Sequence, residues 1–460
     1  MTITRKFSKQ SSIPEPVESV FAWHGRPGAI ERLSPPWAPV RLIRRTGALE
    51  PGAEVDLELS PFWPFSFRWL ARHTECEENR MFRDVQVEGP FARWTHTHRF
   101  TPDGVNACVL EDEVEYALPL GTLSSPLFDG MIRNRLEKIF ACRHSTTIAD
   151  IDDHRSNGLN PMNILVTGSN GVIGQALIPF LTTGGHRVIR LIRRPPRPGT
   201  GCSYWDPMAG NIDLCEKDNI DAVIHLAGEN ISQGAWTADK KKRIIESRTR
   251  GTAILANALA KFDNPPKVFL SASAIGYYGN RGDRRMTEDY GPGDDFISEV
   301  CAAWEEAAAP AAAAGIRTVN MRIGVVLTPL GGALQRLLPV FRMGLGGRIG
   351  TGKQYVSWIG IDDVLGTVLH LLAHPEIEGP VNLVAPNPVT NADLAKALGK
   401  ALTRPARIPV PATAIRTAFG QMGKETILSS TRVEPQRLVE SGYRFRHPDL
   451  ESALGHVLGT

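Results

Sequence analysis

Between Thr167 and Gly174 the chain reads TGSNGVIG, placing Gly168, Gly171 and Gly174 at regular spacing after the apolar run ILV (164–166) and before QALIPFL (175–181). Glycines in this pattern, between a strand and a helix, suit the binding of a pyrophosphate. The first allows a tight turn, the second lets phosphate oxygens reach backbone N–H groups, and the third lets helix and strand pack closely. The helix N-terminus adds partial positive charge. The motif therefore predicts dinucleotide contacts from Thr167, Gly168, Ser169, Asn170, Gly171, Val172, Ile173 and Gly174, with Thr167, Ser169 and Asn170 adding side-chain hydrogen bonds. The next apolar run, HRVIRLI (186–192), ends in Arg193 and Arg194. In an NAD-specific site a ribose-binding carboxylate stands there, about 20 residues after the glycines. Two guanidiniums suit a 2′-phosphate instead, which favours NADP(H) over NAD(H). The competing reading is a solvated basic loop before Pro195 and Pro196. A third apolar run, DAVIHLAGEN (221–230), brings Ala227 and Gly228 to a strand end that lines the adenosine side.

The elements that must position these residues alternate. From Asn163 onward, short apolar runs (ILVTG, HRVIRLI, DAVIHLAG, KVFLSAS, RTVNMRIGVVL) are separated by amphipathic segments. This is the pattern of βαβ units on a parallel sheet with helices on both faces, a Rossmann-type α/β fold. The first third differs: it is rich in Trp, Phe and Pro and carries alternating stretches, ARWTHTHRF (92–100) and EDEVEY (111–116), that read as half-buried antiparallel strands. A helix over 124–143 follows, then a polar stretch with Gly and Pro, DIDDHRSNGLNP (150–161), that reads as a linker. The expected domains are 1–152, 161–400 and a small C-terminal appendage over 401–460, with a helix over 412–419.

Composition narrows the partners. A net charge of +3 over 460 residues carries no electrostatic signal for nucleic acid, and no charge-free apolar run is long enough to span a bilayer. Six scattered cysteines without a C-x-x-C pair suit reduced thiols, and together with the polar N-terminus they suggest a cytoplasmic protein. His96 and His98 alternate in THTH and share one face of a strand, but no third ligand stands at suggestive spacing, so a polar cavity lining is preferred to a metal and none is expected.

These motifs together resemble the short-chain dehydrogenase/reductase superfamily, in its extended, nucleotide-sugar-epimerase-like branch. TGSNGVIG, HLAG, SASAIGYYG and SWIGIDDV occur in that family's order. GENIS, ESRTRGT and the terminal STRVEP look like an atypical subfamily whose last stretch is a domain of unknown function. The front third, with FAWHGRPGAIERLSPPW and GPFARWTHTHRF, resembles START/polyketide-cyclase-like helix-grip domains, which enclose an apolar cavity; Trp23, Trp37, Trp63, Trp69 and Trp94 are candidate lining or core residues.

The resemblance implies a catalytic Tyr with a Lys four residues later. Here Phe296 and Val300 take those places, and Arg248 takes that of the helix Asn. What remains for chemistry is Ser273, the serine that would hydrogen-bond a reacting oxygen, with Tyr277 and Tyr278 as candidate acids. Ser271, Ala272 and Ser273 would border the cofactor, and Lys353, Gln354 and Arg342 would face substrate. His225 reads as a packing residue. The expectation is an NADP(H)-binding oxidoreductase or epimerase-like enzyme acting on a small molecule, or else a non-catalytic NADP(H)-binding regulator. An apolar ligand in the front domain and a homodimer complete the expected partners.

Overall fold

A computed structural model of the chain describes residues 3–62, 65–119, 126–194, 202–214 and 219–460. Trp63, Ser124, Pro195, Pro196 and Cys215 lie outside the described residues. The chain divides into two compact units, one centred on Met1–Ser156, the other on Asn157–Ile178 and His186–Leu458.

The first unit is an antiparallel sheet of seven strands: β1 (Arg5–Ile13), β2 (Val40–Thr46), β3 (Glu54–Phe62), β4 (Phe65–Glu77), β5 (Met81–Glu88), β6 (Arg93–Pro102) and β7 (Cys108–Ala117). Their order is β1-β7-β6-β5-β4-β3-β2. Alternation is plainest in β7, where Cys108, Leu110, Asp112, Val114 and Tyr116 all point inward. Helices α1 (Val17–Gly25) and α2 (Ala29–Arg32) follow β1, and the long helix α3 (Pro126–Asn157) follows β7. Leu136 and Phe140 of α3 pack with Phe7, Trp94 and Val114 of the sheet.

Helix α3 corrects the linker expected from Asp150, because it runs through that polar stretch to Asn157. Thr147, Asp150 and Ile151 form a buried inner side. The Asp150 carboxylate accepts from Nε and Nη2 of Arg32, each at 2.7 Å. A charge whose partner lies 118 residues away in sequence looks like solvated linker until the fold supplies that partner.

The second unit holds an eight-stranded sheet: β8 (Asn163–Thr167), β9 (Arg187–Ile192), β10 (Cys202–Asp206), β11 (Asn211–Asp213), β12 (Ala222–His225), β13 (Val268–Ala274) and the strands Arg317–Ile323 and Gly379–Leu383. The order is β11-β10-β9-β8-β12-β13 followed by those two strands, and every pair is parallel except β10 with β11. Helices α4 (Val172–Thr183), α5 (Ala238–Leu259) and α6 (Phe296–Glu306) are among the crossovers. Because helices cover the sheet, Ile164, Leu165 and Val166 are fully buried on both faces, which is why β8 reads as an unbroken apolar run. The run RTVNMRIGVVL does not stay in the sheet. It breaks at Gly324, and Val325–Leu327 pairs with Trp358–Gly360 instead.

The last sixty residues pack into this same unit. Leu450, Ala453 and Leu454 of helix Leu450–Leu458 join Leu394, Leu398 and Trp358 in one core, and Arg432–Val433 pairs with Arg285–Met286. The helix expected over 412–419 spans Ala412–Met422. Among the described residues no helix is long and apolar enough to cross a membrane.

Candidate functional site

The chain leaves β8 for β9 on one side, while β12 flanks β8 on the other, so the crevice at the strands' carboxyl ends opens between β8 and β12. The glycine loop sits at that point, between β8 and α4. Gly168 has φ of +67°, and a Cβ there would lie 2.7 Å from the Leu226 carbonyl carbon at the end of β12. A Cβ on Gly174 would lie 2.4 Å from the Gly168 carbonyl oxygen. These two glycines serve internal packing. Gly171 does not: its nearest obstruction is at 3.2 Å, its φ is not positive, and it is exposed between Asn170 and Val172. What Gly171 keeps clear is the outer face of the loop at the start of α4.

Thr167 departs from expectation. Its hydroxyl is fully buried and accepts from the Leu226 and Ala227 N–H groups at 3.1 and 3.2 Å. It also lies 2.8 Å from His225 Nδ1. Thr167 thus ties β8 to the end of β12 and sets Ala227 and Gly228, rather than offering its side chain to a phosphate. His225 Nε2 in turn meets Thr252 Oγ1 at 3.0 Å, which Trp304 also reaches. With both ring nitrogens engaged and burial pulling its pKa down to about 3, His225 is a neutral packing group and not a base.

Arg193 and Arg194 extend from the end of β9 and are exposed. The Glu229 carboxyl, past the end of β12, is held below the ordinary range first by its hydrogen bond from Lys240, at 2.7 Å, and then by the charges of Lys240, Arg243 and Arg193. This rim is therefore electropositive. Arg248 lies behind it: Nη1 donates to the Glu229 and Ile244 carbonyls, each at 3.1 Å, and its guanidinium stands 4.8 Å over the Trp304 ring. A Cβ on Gly228 would come within 3.2 Å of Arg248 Cζ, so that glycine makes room for the arginine.

Across the crevice a buried polar network joins β13, α6 and the strand Arg317–Ile323. Ser273 Oγ donates to Glu305 Oε1 at 2.7 Å. Glu305 accepts from Arg322 Nε and Nη2 at 2.8 and 2.9 Å, a bidentate pair. Arg322 Nη1 donates to the Tyr278 hydroxyl at 2.9 Å, and that hydroxyl donates to Asn382 Oδ1 at 2.7 Å. Tyr278 is fully buried, and burial raises its pKa to about 12. As a candidate acid it is thereby corrected to a structural residue. Tyr277 is half-buried, its ring stacked 3.5 Å from the Arg322 guanidinium. Ser271 is fully buried, its hydroxyl without a hydrogen-bond partner among the described residues, and Ala272 is buried beside it.

Where a Tyr and Lys would stand, Phe296 packs edge-on to Trp236 at 5.3 Å and Val300 is buried in an apolar core with Ile244 and Ile297. Neither side chain can carry a proton. Lys353 and Arg342 are exposed, whereas Gln354 is buried and donates to the Ile349 carbonyl, holding its own loop. Sequence reasoning missed Glu305 and Arg322. The available signal was Arg322 between Met321 and Ile323 at the inner end of a sheet run, where a buried charge demands a carboxylate.

This arrangement can be compared with known proteins. Residues 164–384 match the model of the NAD dependent epimerase/dehydratase family. Residues 410–457 match a domain of unknown function (DUF1731), and residues 13–140 match the polyketide cyclase / dehydrase and lipid transport family. An epimerase family protein of Mycobacterium bovis is 40% identical over 294 residues, covering 64% of this chain and 97% of that protein. The chain belongs to the epimerase family. A solved structure described as a nucleoside-diphosphate sugar epimerase from Corynebacterium glutamicum is 34% identical, with a TM-score of 0.80 over 98% of this chain and 90% of that one. The human family member SDR39U1, solved with NADPH, is 36% identical with a TM-score of 0.59, covering 65% of this chain and 99% of that one. The family likeness covers the second unit. The likeness to the Corynebacterium structure extends over the N-terminal sheet as well.

Proposed function

We propose that the second unit binds NADP(H) at the carboxyl ends of β8, β9 and β12 and acts as an atypical reductase-like site on a small molecule. The observation that carries this reading is the exposed Gly171 face at the start of α4, with Arg193 and Arg194 at the end of β9. The family member solved with NADPH supports the same cofactor. When bound, the cofactor supplies a hydride donor or acceptor at its nicotinamide. The chain's own residues do the rest. Ser273, whose proton is committed to Glu305, would accept from a substrate hydroxyl, and the Arg322 guanidinium pairs with Glu305 beneath it.

A second reading is favoured by the apolar surroundings of Phe296 and Val300 and the burial of Tyr278: cofactor binding without turnover, as a report of redox state. Parallel calorimetric titrations with NADPH and NADH test the first step. Micromolar NADPH binding with much weaker NADH binding is expected; no binding of either overturns both readings. Oxidation of bound NADPH by a panel of carbonyl compounds then separates enzyme from reporter.

A further inference from the structure

The N-terminal sheet carries a second constellation of chemistry-bearing side chains. In the antiparallel register Asp84 of β5 stands opposite His96 of β6, and His98 of β6 opposite Asp112 of β7, so these four share one patch of the inner face. Asp112 is the hub. It occupies an inward position and is 3% exposed, accepting from His96 Nε2 at 2.9 Å on Oδ1 and from His144 Nε2 at 2.6 Å on Oδ2. A carboxylate only accepts, so His96 holds a proton on Nε2 toward Asp112; Asp84, whose Oδ2 is 3.5 Å from Nδ1, equally only accepts, so Nδ1 faces it with a proton that a metal ion would replace. His98, only 7% exposed, brings Nδ1 within 2.6 Å of Asp112 Oδ1.

Asp84, His96 and His98 all line a cavity of about 420 Å³ whose other walls include Leu57, Trp69 and Phe91. One ligand atom from each of the three lies within 4.8 Å of the others. Donors at about 2.1 Å from an ion in tetrahedral arrangement stand roughly 3.4 Å apart. The Asp84–His96 separation already meets that spacing, and the third donor lies within 4.8 Å of both.

We infer that Asp84, His96 and His98 bind one divalent transition-metal ion of the zinc, iron(II) and cobalt(II) class, open toward the cavity. Two imidazoles with one carboxylate suit these borderline cations, whereas calcium and magnesium take oxygen donors. Asp112 acts from behind, fixing the His96 tautomer as outer carboxylates do in metal sites. Three protein ligands leave coordination positions for an oxygen donor, and the apolar walls fit the rest of such a molecule: the ligand class is an anionic or chelating oxygen head on an apolar body. This site rests on the N-terminal cavity and is independent of the cofactor reading.

The test is titration of the full chain, stripped with chelator, with cobalt(II) chloride. One equivalent producing visible d–d bands is expected, lost in Asp84→Asn and in His98→Gln. Asp112→Asn should keep the bands with affinity lowered about tenfold to a hundredfold. His456→Gln is the control, because among the described residues Asp362, His447 and His456 form the other group of donors within 4.8 Å of one another; the bands should survive it, and glutamine keeps a donor in reach of the buried Asp362 carboxylate that His456 Nε2 meets at 2.8 Å. Octanohydroxamate should then shift the wild-type bands. Absent wild-type bands, bands surviving Asp84→Asn and His98→Gln, or bands abolished by His456→Gln overturn the site. Bands unmoved by the hydroxamate overturn its open face. Circular dichroism of each variant distinguishes lost ligation from lost fold, and the wild-type and His456→Gln titrations decide the matter if the Asp84 and His98 variants do not fold.

Discussion

Gly171 and Gly174 differ in what a methyl group would meet, and the difference separates binding from folding. A Cβ at Gly174 would press on the Gly168 carbonyl at 2.4 Å, so Gly174→Ala is expected to destabilise the chain by about 1–3 kcal/mol, read by urea denaturation. Gly171→Val, whose Cβ would meet the Gly168 carbonyl oxygen at 3.2 Å, should cost less stability than Gly174→Ala but weaken NADPH by roughly a hundredfold, about 2.8 kcal/mol. Arg193→Glu should weaken NADPH about tenfold relative to NADH; equal loss for both cofactors would remove the phosphate role of Arg193. His225 governs a pH effect. Among the described residues its neighbours are Thr167, Thr252 and the Trp205 and Phe269 rings, none of them charged. Burial depresses its pKa from 6.5 to about 3, so the folded state excludes a proton that the unfolded chain takes up. Its contribution to stability is whole above pH 6.5 and is lost as pH falls toward 3. Between pH 6.5 and 5 the loss is about 2 kcal/mol. His225→Gln should flatten the pH dependence of unfolding over that interval, and an unchanged slope would show that burial of this ring is not what sets it.

At the scale of elements, the pair Glu305–Arg322 fastens α6 to the parallel sheet and carries Ser273 with it. Truncating one partner leaves the other charge buried. Arg322→Met is therefore expected to cost about 3–5 kcal/mol, and Tyr278→Phe, which removes one hydroxyl between Arg322 and Asn382, about 1–3 kcal/mol. Both are read by denaturant unfolding. Tyr278→Phe should leave NADPH affinity unchanged, since that hydroxyl is buried away from the crevice. Helix α3 makes a related point about length. Its C-terminal turns carry charge on every side that sequence can see, yet Asp150 is held by Arg32 and Ile151 is buried, so a polar stretch is helix because of a contact made from the opposite end of the unit.

The whole molecule has separate cores. Trp23, Phe82 and Leu110 are buried in the first unit, and Leu165, Val223 and Phe269 in the second. NADPH is expected to raise only the unfolding transition of the unit with the glycine loop, by mass action on its folded state. Scanning calorimetry with and without cofactor checks this. From sequence alone the parallel sheet, the glycine loop, the basic pair after β9 and the antiparallel front unit were legible, because each is written in local periodicity or in a single turn. The weak strands β10, β11 and Gly379–Leu383 were not, since CSYWD, NID and GPVNL lack a strong apolar pattern. Nor were the partners of buried charge. Arg322 with Glu305, Asp150 with Arg32, and Asp84 and Asp112 around His96 and His98 lie on different elements. Sequence spacing determines which residues share one strand or helix face. Only the packed tertiary structure decides which charges meet across elements, because a buried charge is tolerated solely where the fold brings its counterpart within reach.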